Sequence, residues 1–145
     1  TYEPGGQAVT AQAGELSLGM TVCYDLRFPA LYRALALAGA EVMTIPSAFT
    51  RPTGAAHWEV LMRARAIETG SFVLAPAQGG RHEDGRGTWG HSIAVAPWGE
   101  VLARFDHDEP GVLIAELDLA AAAKARAAIP ALANARTFAQ PAALA

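Results

Sequence analysis

Between Glu15 and Gln78, short apolar runs alternate with helix-length segments closed by glycine, an order that few architectures accept. ELSLGMTVC, residues 15–23, sets Leu16, Leu18, Met20 and Val22 at period two, as a strand requires, with the small Gly19 and Thr21 on its other face. Pro29 suits a first helical turn, because the N–H it lacks would have no partner there. PALYRALALAG then runs to Gly39, a good C-terminal stop. EVMTIPS is short, apolar and β-branched, and reads as a strand in a sheet covered on both faces. A second helix is expected over residues 55–69, with Leu61, Ala64 and Ile67 on one face and Glu59 and Arg63 paired at i,i+4 on another. Gly70 ends it, and SFVLAPAQ is a further strand. This half fits βαβ units with short connections.

The rest is mostly strand. A polar loop, GGRHEDGRGTWG, precedes HSIAVAP, the turn WGE and VLARF, which together predict a hairpin with Gly99 free to take positive φ. GVLIAELD is expected as the last strand, before an alanine-rich helix and a tail. The opening, TYEPGGQAV, reads as loop. The fold class is therefore α/β with a mixed sheet: one domain over 1–145, with a core over 1–118 and the helix and tail over 119–145.

The apolar fraction of 52% supports a real core. A net charge of −3 without a block of like charge gives no basic footprint for nucleic acid. The apolar runs fall short of the roughly 18 residues a membrane span needs. One cysteine makes no intrachain disulfide, which fits a cytoplasmic protein. His57, His82, His91 and His107 are widely spaced and show no metal-ligand pattern.

That cysteine, Cys23, is open to two readings. At the end of an apolar strand it is a small core residue. Between a strand and a helix it also sits where α/β sheets gather their ligands. There the field of the helix N-terminus favours a thiolate, and the first amides after it, Tyr24 foremost, face an oxyanion. Asp25 either holds the turn through backbone amides or contacts substrate, and Arg27 either pairs with Asp25 or does the same. A redox-sensing thiol would need a resolving cysteine, which the chain lacks.

The segments GMTVCYDLRFPALYRALALAGAEVMTIPSAF, TGAAHWEVLMRARAIETGSFVLAPAQGGRH and TWGHSIAVAPWGEVLARF, in that order, closely resemble the nitrilase superfamily of carbon–nitrogen hydrolases over roughly residues 2–118. The resemblance implies the C-terminal half of an α-β-β-α sandwich. It also implies a cysteine nucleophile, Cys23, that attacks an amide or nitrile carbon and forms a thioester-type intermediate, with no metal and no cofactor. In that family a glutamate base and an oxyanion-holding lysine lie upstream of the cysteine. Only 22 residues precede Cys23, Glu3 and Glu15 do not match the base, and the sole lysine, Lys124, lies in the last helix. The expectation is that the first half of the domain is absent and that this chain alone is inactive, with a binding or assembly role as the alternative.

The wording is closest to the branch of deaminated-glutathione amidases and ω-amidases. It implies a small linear amide substrate, with ω-amides of keto acids, N-carbamoyl compounds or nitriles as alternatives, and a homo-oligomer. Candidate substrate contacts are Asp25, Arg27 and His57, with Arg81 and Arg86 in the polar loop as partners for a carboxylate. Trp58 is read as core, His91 as a hydrogen-bonded structural histidine and Lys124 as a solvated helix charge.

Overall fold

The computed structural model describes residues 3–142, so part of the opening loop and the last residues of the tail lie outside it. Its elements are β1 Val9–Ala13, β2 Leu16–Met20, a 3-10 turn Cys23–Arg27, α1 Pro29–Leu37, β3 Val42–Thr44 and α2 Arg51–Thr69. They continue with β4 Phe72–Ala75, β5 Gly79–Arg81, β6 Gly87–Trp89, β7 Ile93–Val95, β8 Val101–Arg104 and α3 Ala120–Ala128. Six strands form one sheet in the order β1-β2-β3-β4-β7-β8. The central three run parallel, Leu18 opposite Val42 and Val42 opposite Phe72, and the outer pairs are antiparallel. The chain is thus α/β with a mixed sheet, as its element order requires.

Strand pleating sends alternate residues to opposite faces, and two core clusters result. Met43 and Val73 meet Leu35 of α1 and Trp58 and Met62 of α2 on one face. Val42 and Phe72 meet Ala122 of α3 on the other. Pro29 occupies the first turn of α1, and α2 ends at Gly70, whose φ of 58° is the left-handed cap glycine adopts without strain.

Several expectations need correction. The opening is not all loop: β1 pairs with β2 across a two-residue turn at Gly14 and Glu15. The first strand ends at Met20, not residue 23, because the chain turns at Cys23. Helix α2 begins at Arg51 rather than 55, since Pro52 takes a first-turn position after the extended Thr50. It buries Gly54, Trp58, Met62, Arg65, Ala66 and Thr69, while Ile67 stays 54% exposed. The polar loop folds into the β5–β6 hairpin. Finally, 111–118 forms no strand: the segment keeps its alternation, with Val112 and Ile114 exposed, but among the described residues no sheet edge pairs with it.

Candidate active site

Cys23 opens the 3-10 turn three residues past β2, with φ of 48°. Residues other than glycine seldom hold that left-handed conformation, which costs on the order of 1–3 kcal/mol and persists only where surroundings impose it. Local hydrogen bonds do so. The Cys23 N–H donates to Pro46 O at 2.9 Å, and the Asp25 N–H to Val22 O at 3.0 Å. The Asp25 carboxylate accepts from the Val22 N–H at 2.8 Å. Asp25 is therefore a turn-holding residue. The amide of Tyr24 lies between two engaged amides.

Just upstream, the buried Tyr32 hydroxyl meets Thr21 Oγ1 at 2.8 Å, and Thr21 Oγ1 donates to Thr44 O at 3.0 Å. Burial pushes the Tyr32 phenol up to about 12, against the opposing pull of the Thr21 hydrogen bond.

A cavity of about 790 Å³ opens beside Cys23, within the range of small-molecule sites. The segments following all three parallel strands line it, through Val22 and Cys23, through Pro46 and Ser47, and through Pro76 to Gly79. This is the position at which open α/β sheets bind ligands. Segment 105–111 forms another wall, with Phe105, His107 and Glu109 facing in. That wall is tied down. Asp108 forms an ion pair with Arg51, and the His91 N–H donates to His107 O at 3.0 Å. Partial burial raises the Asp108 carboxyl, but the Arg51 guanidinium and two backbone hydrogen bonds outweigh it and hold it below the usual carboxylate range. Gly79 touches this wall closely: a Cβ there would overlap the Asp108 carbonyl.

Of the predicted site residues only Cys23 lines the cavity; Tyr24, Asp25, Arg27, His57, Arg81 and Arg86 lie outside its lining. Arg27 points toward His57 Nδ1, 3.4 Å away, and stacks on the rings of Tyr24 and Phe49 at 5.6 and 5.4 Å. Arg86 is held by Asp84 at 2.6 Å, and Arg81 is exposed on the same hairpin. Hydrogen bonds from Arg86 draw the Asp84 carboxyl below its ordinary range. Trp58 is buried and donates to His91 O at 2.7 Å. His91 lines the cavity while its Nδ1 bonds Trp89 O at 2.6 Å. Glu59 bridges Arg63 and Arg104 at the surface. Lys124 pairs with Asp118 at 3.4 Å, and its helix packs on the sheet face opposite α1 and α2. Sequence reasoning missed His82, His107 and Glu109 as cavity residues. They sit in loops, where no period marks a facing direction. Among the described residues, no three His, Cys, Asp or Glu side chains gather as a metal site would require.

The fold and this site define an α/β protein that presents a strained cysteine to a ligand cavity at the ends of its parallel strands. The carbon–nitrogen hydrolase family model matches residues 1–127, and the chain belongs to that family. It is 54% identical over 104 residues to a deaminated glutathione amidase of Yersinia enterocolitica, covering 72% of this chain and 36% of the relative. It is 56% identical over 111 residues to the human deaminated glutathione amidase, covering 77% and 33%. The chain thus spans about a third of the length of these curated relatives. A mutant amidase from Nesterenkonia sp. AN1, bearing the acetamide moiety of fluoroacetamide on its active-site cysteine, superposes with a TM-score of 0.77 at 31% identity. That likeness covers 93% of this chain and 47% of the other.

Proposed function

We propose that the protein acts as an amidase with Cys23 as its nucleophile. The observation that carries this reading is the cysteine held at φ 48° against the cavity at the ends of the parallel strands. In the proposed reaction the Cys23 thiolate attacks the carbonyl carbon of a small linear amide. The C–S bond forms as the carbonyl π pair moves to oxygen, and the Tyr24 N–H donates to that oxyanion. When the pair returns, the C–N bond breaks and the nitrogen leaves as ammonia, taking up the proton that the Cys23 thiol released on ionising. Water then adds to the thioester, releasing the carboxylic acid and restoring the thiol.

The relatives named as deaminated glutathione amidases support that substrate, and they favour catalysis over a binding or assembly role. Arg81 and Arg86 on the β5–β6 hairpin are the proposed partners for a substrate carboxylate, with Arg27 and His57 beside the Cys23 turn as further proposed substrate contacts. A homodimer and a cytoplasmic location complete the proposal. No helix among the described residues is long and apolar enough to cross a membrane.

Two measurements test it. With the family's glutamate- and lysine-bearing segment joined upstream, ammonia release from deaminated glutathione and from α-ketoglutaramate is expected to fall on the order of 10⁴-fold or more in Cys23→Ala, with the fold retained, whereas residues 1–145 alone are expected to release little. Mass spectrometry after fluoroacetamide treatment is expected to show one adduct, on Cys23. A folded Cys23→Ala protein that keeps its activity overturns the assignment.

A further inference from the structure

The chain's most deeply buried charge on α2 has no place in the chemistry above. Arg65 is 4% exposed, yet its Nε and Nη2 both donate to one backbone carbonyl, that of Leu26, at 3.1 and 2.9 Å. Its Nη1 donates to Glu68 Oε2 at 2.7 Å, and the guanidinium lies 5.4 Å from the centre of the Tyr32 ring. Leu26 lies one residue from the end of the turn that Cys23 opens. Tyr32, in contact with the same guanidinium, bonds Thr21 on the other side of Cys23. The two helices thus grip both flanks of the strained residue, α1 at Thr21 and α2 at Leu26, and Arg65 touches both grips. A buried cation is costly to desolvate, and an apolar side chain of similar volume would often serve stability as well. It would not serve the Leu26 carbonyl, which would lose both donors.

We propose that Arg65 is a positioning residue: through the Leu26 carbonyl and the Tyr32 ring it holds Cys23 in its left-handed conformation and so aims the thiol into the cavity. The effect on turnover rests on the reading of Cys23 as nucleophile; the effect on backbone conformation does not.

Because the chain contains a single cysteine, protein labelled with [13C]cysteine gives one Cα resonance, a direct report on the backbone at Cys23. It is compared in wild type, Arg65→Met, Arg65→Lys and the control Met62→Ala, which opens a cavity in the core on the same helix. In Arg65→Met the resonance is expected to move or split, and kcat, measured with the family's upstream segment joined, to fall about 10–100-fold at nearly constant KM, as misplacement of a reacting group does. Arg65→Lys, able to donate to the carbonyl through one ammonium, is expected to recover part of both. Met62→Ala is expected to melt lower with the resonance in place. An unmoved resonance in the Arg65 variants overturns the proposal, as does an equal displacement in Met62→Ala. If Arg65→Met does not fold, Arg65→Lys is judged alone, and a wild-type resonance there is the overturning result. Activity that survives in Cys23→Ala would sink the nucleophile reading while leaving the resonance test intact.

Discussion

At the scale of single residues, the groups around Cys23 are arranged to keep a strained backbone in place. Tyr32 serves this as a neutral phenol, because burial disfavours its charged form. Its folded-state value of about 12 stands above the ordinary tyrosine value near 10. A phenol raised on folding contributes stability that is whole below pH ~10 and is lost as pH climbs from there through about 12. The two-unit shift corresponds to roughly 2–3 kcal/mol. Urea denaturation between pH 9 and 12 is expected to show a decline that Tyr32→Phe reduces. A decline of the same size in the variant would assign it to other groups.

At the scale of elements, the β5–β6 hairpin and segment 105–111 are packed too closely for any side chain at position 79. Gly79→Ala is therefore expected to push the 105–111 wall away from the cavity. Trapping of Cys23 by fluoroacetamide should slow several-fold, with a stability loss of about 1–3 kcal/mol from the strain. Trapping kinetics and thermal melting check this together, and an unchanged trapping rate would mean that the wall plays no part in seating the amide. Helix α2 is the element that joins these parts. Its Trp58 reaches His91 at the cavity, its Arg65 reaches the turn that Cys23 opens, and its Arg51 reaches Asp108.

For the whole molecule, the Arg51–Asp108 pair links the start of α2 to a loop 57 residues away. Asp108 titrates below the ordinary carboxylate value, so its contribution is whole above pH ~4 and is lost as pH falls through the depressed folded value. The protection of the His91 amide, which bonds His107 O in the same wall, measured against its intrinsic exchange rate at each pH, is expected to fall in acid. Asp108→Asn should show that reduced protection at every pH, and wild-type protection in that variant would show that the pair does not hold the wall. The proposed homodimer is checked by sedimentation at micromolar concentration, where a monomer would refute it.

Much of this was legible in the chain alone, because it depends on neighbours in sequence. Period-two apolar residues mark β2, and Pro29, Gly39 and Gly70 mark helix ends through backbone constraints that each residue carries with it. Cys23 was placed at a strand-to-helix turn by the same local signals. Whatever needed a distant partner was not legible. The pattern of 111–118 is that of a strand, but a strand exists only where another edge accepts its hydrogen bonds, and none does here. The residues of β1 read as loop until β2 pairs with them. Arg65 looks like a surface charge, since nothing in RARAIE reveals a carbonyl 39 residues upstream that needs its donors. The sequence determined where the chain could be strand, helix or turn. Tertiary packing alone decided which charge went inside, and how the cysteine's backbone is held against the cavity, because burial and hydrogen-bond satisfaction are properties of contacts between segments.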